Sequence, residues 1–140
     1  MEMELLAWVI VRDGVGNVLL ARRSGTGRGE GLWNLPGGHV EADEPVAAAG
    51  AREAAEEVGL IIDPTDLDVV GVQRWADGES AGLSVFLTAS RWAGVPTALE
   101  MTSEVGWFAL GHLPEDCLAW LPSALRLHLC DGVVWAEALG

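Results

Sequence analysis

The sequence predicts a fold that mixes strands and helices, of α+β type or a mixed α/β sandwich. Three observations support this. Short apolar runs rich in β-branched residues lie on both sides of one long alanine-rich helical segment, a second helical segment comes late, and the order never settles into a repeating strand-helix alternation. No repeat, low-complexity tract or linker interrupts the 140 residues, so residues 1–140 read as a single domain.

Glu4 to Arg12 is a nearly continuous apolar run, Asp13-Gly14 a turn signal and Asn17 to Arg23 a second run, read together as paired strands. Ser24 to Gly31 is a glycine-rich loop, and Leu32 to Val40 reads as a short strand broken by Pro36-Gly37-Gly38. Pro45 to Val58 is the clearest helix, with proline suited to its first turn and Gly59 placed as its stop. Leu67 to Trp75, Leu83 to Trp92 and Val105 to Leu110 follow as strands, and Leu121 to Cys130 as a second helix ended by Asp131-Gly132.

Composition narrows the function. Half the residues are hydrophobic and the mean hydropathy is +0.27, enough for one core and too interrupted for a spanning helix. Met1 to Val11 is short and carries Glu2 and Glu4 where an export signal would be basic, so a cytoplasmic protein without a membrane is expected. Cys117 and Cys130 have no metal-ligand spacing and read as free thiols. A formal charge of −13 repels polyanions and argues against a nucleic-acid polymer as partner, leaving a small phosphorylated ligand reached through a cation.

The helix Pro45 to Val58 carries the chemistry. Ala47, Ala51, Ala54 and Val58 form a narrow apolar stripe facing the core, and Glu53 and Glu57, flanked by Glu56, are expected on the opposite side. Small Val46, Ala49 and Gly50 would leave space above the carboxylates. Glutamates at i, i+3 and i, i+4 repel one another by a few tenths of a kcal/mol per pair, and the C-terminal half of a helix disfavours anions. Only Arg52 compensates nearby. These penalties make sense if a hard divalent cation, magnesium above all, is held by the carboxylates.

Gly38 to Leu60, GHVEADEPVAAAGAREAAEEVGL, carries Gly38, Glu44, Arg52-Glu53, Glu56-Glu57 and Gly59 followed by Leu60 at the spacing of the Nudix box, which the chain thus resembles. Ala54, at a position where that family places a larger aliphatic, is the one soft departure. Leu35-Pro36-Gly37-Gly38, Arg22-Arg23, Trp107-Phe108 and Leu113-Pro114 extend the resemblance over most of the chain. It implies an α/β/α sandwich with a mixed β-sheet, and hydrolysis of nucleoside diphosphate linkages with magnesium, or manganese as substitute.

The same resemblance assigns roles. Glu53 and Glu57 would be principal metal ligands, Glu56 a further ligand or water activator, and the Gly37 or Gly38 carbonyl another oxygen ligand. Arg52 would orient the carboxylates and Glu44 brace the loop. The general base would be a box glutamate or a loop residue, with Glu100 and Glu104 the candidates.

The branch most resembled is the MutT type, which turns nucleoside triphosphates, ordinary or oxidised, into monophosphate and pyrophosphate. Nucleotide sugars, ADP-ribose or dinucleoside polyphosphates are the alternative. A module that binds without catalysis would drop box carboxylates, and this chain keeps them all. Arg23 is a candidate phosphate contact, and Trp33, Trp107 or Trp120 candidate stacking partners for a base. Asn34 could read a base edge. His39, His112 and His128 receive no role. Seven tryptophans in so short a chain, with the family resemblance, suggest a homodimer.

Overall fold

Residues 2–140 are described by the structure, a computed structural model. Eight strands and two principal helices form in the order β1 (Met3–Ile10), β2 (Val18–Arg23), β3 (Trp33–Asn34), β4 (Gly37–His39), α1 (Val46–Val58), β5 (Leu67–Ala76), β6 (Ala81–Ala89), β7 (Thr102–Phe108), α2 (Leu121–Leu125) and β8 (Trp135–Leu139). Five strands make a mixed sheet in the order β4-β1-β6-β5-β8, with β1 parallel to β6 and β5 parallel to β8. A smaller antiparallel sheet runs β3-β2-β7.

Alternation along β1 explains the layering, because successive side chains of a strand face opposite sides. Ala7, Val9 and Val11 join Ala49, Ala54 and Val58 of α1 in one buried cluster. Trp8 and Ile10 point the other way and join Phe86, Leu121, Ala124 and Leu125, the last three from α2. The sheet is therefore covered by a helix on each face, the expected α/β/α arrangement in a mixed α+β chain.

Four details differ from the sequence reading. The first two strands meet only at their connecting turn, through an Arg12–Val18 bridge and a Leu19 N–H to Val11 carbonyl bond, then diverge into separate sheets. Leu32 to Val40 divides into β3 and β4, also in different sheets, with Leu35-Pro36 crossing between them. The late helix keeps α-helical geometry only to Leu125 and widens into a π-helical turn over Arg126–Cys130. Trp-Ala-Glu-Ala-Leu, a poor strand former by composition, becomes β8 because the edge of β5 offers it a ladder.

Tryptophan is less surplus than its number suggests. Trp8 and Trp33 are buried, four others are half-buried, and only Trp135 is exposed.

Candidate active site

Helix α1 turns Glu53 and Glu57 towards the sheet. At about 100° per residue, Glu53 and Glu57 fall on the same side as Ala49 and Gly50, which are buried against the core. The face expected to be opposite the core is thus part of the face that packs. Nor is there open space beside Gly50, where an added Cβ would sit 2.8 Å from Leu87 Cδ1. Periodicity identifies residues that share a face, and a large partly buried carboxylate on that face is permitted only where something polar meets it.

Two glycines of the β3–β4 segment meet these carboxylates. The Gly37 N–H donates to Glu57 Oε1 at 3.0 Å. Gly37 has φ of 153°, and a Cβ there would lie 2.1 Å from the Ala7 carbonyl oxygen, so no larger residue fits. A Cβ on Gly38 would lie 2.9 Å from Glu53 Cδ, which makes glycine the residue that lets the strand backbone approach the carboxylate.

Arg52 organises the loop before the helix. Its guanidinium donates to both oxygens of Glu44, at 2.8 and 3.0 Å, in the planar fork that arginine makes with a carboxylate. It also donates to the His39 carbonyl at 3.0 Å, Glu53 at 3.0 Å and Glu56 at 3.4 Å. These anions hold the Arg52 proton far more tightly than usual, and the Arg52 hydrogen bond, larger than the opposing desolvation, keeps the Glu44 carboxyl below its ordinary range.

Glu57 is displaced the other way. Burial first, then the hydrogen bond to the adjacent Glu53 carboxyl, push its pKa up to about 9, against the Gly37 N–H, which favours the anion. Two carboxyls pressed together in a half-buried place, with an arginine fork on one side and backbone on the other, are an oxygen-rich set suited to a hard divalent cation. Glu53, Glu57 and the neighbouring glycine carbonyls fit such an ion. Glu56 is exposed and turned to Arg52, and among the described residues no three His, Cys, Asp or Glu side chains already converge at metal-ligand spacing.

The carboxylates stand at the edge of a cavity of about 1060 Å³. Of the residues singled out from sequence, Arg23, Asn34, Gly37, Gly38, Glu53, Glu57 and Trp120 line it. Arg23 is held by the Arg28 carbonyl at 3.1 and 3.2 Å. Asn34 is 1 % exposed, and neither amide atom has a hydrogen-bond partner in the protein. Trp120 packs at 5.4 Å from Trp8 and 5.9 Å from Phe86, forming an aromatic wall.

Others lie elsewhere. Trp33 packs edge-on against Phe108 beneath the Arg22 guanidinium, and Trp107 packs against Trp92. Glu104 pairs with Arg22 at 3.2 Å, and Glu100 touches the helix only through its main-chain N–H on the Glu56 carbonyl. Neither glutamate lines the cavity, whereas Met101 and Thr102 between them do.

Sequence reasoning passed over Arg28, Gln73, Trp75 and Ser84, which also line the cavity. Arg28 bridges the glycine-rich loop to the β5–β6 turn through Asp77 at 2.9 Å. The available signal was slight: an uncharged polar residue within each of two largely apolar strands, Gln73 in β5 and Ser84 in β6.

Comparison with known proteins agrees with this geometry. The family model described as the NUDIX domain matches residues 4–126. An RNA pyrophosphohydrolase of Halorhodospira halophila is 46 % identical over 68 residues, 48 % of this chain and 34 % of that protein. Phosphatase NudJ of Escherichia coli is 38 % identical over 61 residues, 44 % of this chain and 39 % of that protein. The matched segments are thus well under half of each curated relative. The crystal structure of a MutT NUDIX hydrolase from Burkholderia pseudomallei superposes with a TM-score of 0.81 at 26 % identity, covering 92 % of this chain and 99 % of that one.

Proposed function

The chain belongs to the NUDIX family of hydrolases, and on that premise we propose that it converts nucleoside triphosphates, ordinary or oxidised, to monophosphate and pyrophosphate. The observation that carries this reading is the placement of Glu53 and Glu57 together at the edge of a nucleotide-sized cavity that also holds Arg23 and an aromatic wall. Likeness along nearly its whole length to a MutT hydrolase supports a triphosphate substrate.

Hydrolases of this family generally use divalent metal ions. In this reading Glu53, Glu57 and the Gly37 or Gly38 carbonyl would hold magnesium, or manganese in its place, with Glu56 a further ligand or the water activator. A cation held by these residues would supply charge neutralisation for the phosphoryl oxygens and a more acidic water. Arg52 and Glu44 keep the carboxylates aimed. Arg23 takes phosphate oxygens, and Glu56 accepts the proton lost by water, with Glu100 and Glu104 as the loop alternatives. Asn34 and Trp120 hold the base. Trp33, packed on Phe108, and Trp107, packed on Trp92 in the core cluster of helix α1, do not touch substrate in this reading. The partner is a small nucleotide, in the cytoplasm, and no helix among the described residues is long and apolar enough to cross a membrane.

A second reading, hydrolysis of nucleotide sugars, ADP-ribose or dinucleoside polyphosphates, is favoured by the cavity volume, just above the ~300–1,000 Å³ usual for small-ligand sites. Magnesium-dependent product release from a panel of all these compounds separates the two. Pyrophosphate from triphosphates supports the first. Turnover of the linked dinucleotides and sugars with triphosphates untouched supports the second.

A further inference from the structure

Only four polar side chains are buried among the described residues: Asn34, Gln73, Ser84 and His128. His128, whose Nδ1 meets the Val133 carbonyl and whose ring stacks on Phe86 while its Nε2 has no partner, lies outside the cavity lining. The other three all line the cavity. A buried polar group without a partner costs about 1–3 kcal/mol; both amide atoms of Asn34 and the indole N–H of Trp75, which also lines the cavity, lack one in the protein, so the cavity calls for a polar occupant.

Gln73 and Ser84 are directly paired across the β5–β6 ladder, and such neighbours have side chains on one face about 5 Å apart. Ser84 Oγ accepts the Trp8 indole N–H at 3.2 Å, which leaves its own O–H to donate into the cavity. The occupant must therefore present an acceptor to Ser84. Beside it the Gln73 carboxamide offers a donor and an acceptor together. One step along the same face Gly82 makes room, since a Cβ there would lie 2.8 Å from the Trp75 ring, and the Trp75 indole N–H has no protein partner. The only cationic arginines of the cavity, Arg23 and Arg28, come from β2 and the glycine-rich loop, so this floor on β5 and β6 is neutral and unsuited to phosphate.

We propose that Gln73 and Ser84, together with Asn34, are a hydrogen-bonding floor for the nucleobase, and that Gln73 determines which base is accepted. A planar heterocycle with acceptor and donor atoms side by side on one edge satisfies both side chains at once, as carboxamides do with base edges elsewhere. A site built to bond a polar edge discriminates strongly, because the wrong base leaves these groups unpaired.

This inference rests on the nucleotide reading above, and the experiment keeps the two apart. Rates with the four common nucleoside triphosphates are compared for wild type, Gln73→Met, which keeps the side-chain length, and Gln73→Glu, which keeps an acceptor and loses the donor. Fluorescence titration of the four nucleoside monophosphates gives base preference without turnover. The wild type is expected to prefer one base, and Gln73→Met to reduce the ratio of kcat/KM between best and worst bases by about tenfold or more, mainly through KM. Gln73→Glu is expected to alter the rank order, which a merely structural role would not do. A wild-type preference kept unchanged in both variants overturns this inference alone, as does a change confined to the ribose-over-deoxyribose ratio. Absence of any nucleotide turnover and of any base-dependent binding overturns both readings.

Discussion

Gly37, on a short strand, donates its main-chain N–H to the carboxylate of Glu57, twenty residues later on helix α1, at 3.0 Å. The bond joins the helix that carries the acidic cluster to the sheet that floors the cavity. It also supplies a buried carboxyl with one of the few groups there that favour its charged form.

The two glycines separate stability from activity. Gly37→Ala would force a Cβ to 2.1 Å from the Ala7 carbonyl oxygen, and Gly38→Ala would bring one to 2.9 Å from the Glu53 carboxyl carbon. The first is expected to lower the melting temperature markedly, because backbone has to move; strained φ alone costs about 1–3 kcal/mol. The second is expected to leave folding nearly intact and reduce turnover at least about tenfold by displacing Glu53. Melting curves and initial rates measured on both variants check the contrast.

Glu57 makes stability depend on pH in an unusual direction. Its folded pKa is pushed up to about 9 from a reference of 4.5, so in metal-free protein the folded state keeps a proton that the unfolded state releases. The contribution is complete below 4.5 and fades as pH rises towards 9. With chelator present, the unfolding free energy of wild type relative to Glu57→Gln should fall steadily across that window. A difference that is flat with pH would contradict the buried, proton-sharing description of the pair.

Arg52 acts through geometry as well as charge. Lysine cannot reproduce the two-pronged contact with Glu44 while also reaching the His39 carbonyl and Glu53. Arg52→Lys should therefore reduce turnover by about ten- to a hundredfold, the usual scale for losing a partner that orients metal ligands. The metal concentration for half-maximal rate should rise with it.

The Arg28–Asp77 pair is exposed on both sides, so it adds little to global stability. Its location matters more, since it ties the glycine-rich loop to the β5–β6 turn at the cavity. Asp77→Asn should leave the melting temperature within about 2 °C. Faster amide hydrogen exchange in residues 24–31 is the expected signature.

Much of the fold was legible where local chemistry decides. Pro45 and Gly59 bracket α1, and the β-branched runs mark β5 and β6 close to their observed limits. Partner choice was not legible. β1 and β2 look like a hairpin because a turn joins them, yet each has a better partner far away in sequence. β8 has no strand composition and exists through its neighbour.

The acidic cluster was visible from its spacing, but its direction was not. Charge suggested that Glu53 and Glu57 face away from the core, whereas Gly37, Gly38 and Arg52 provide the polar surroundings that let them turn inward. Gln73 and Ser84 escaped notice for a related reason. A polar residue within a strand ordinarily reads as an exposed position, and only assembly of the sheet places these two over a cavity.

If Glu53 and Glu57 together hold the metal that drives hydrolysis of a nucleoside triphosphate, pyrophosphate release under saturating magnesium separates wild type from Glu53→Gln, a substitution that preserves shape and removes charge. A loss of at least about a hundredfold in kcat, with the fold intact, is the predicted result. Turnover in Glu53→Gln equal to wild type would mean that Glu53 holds no catalytic metal.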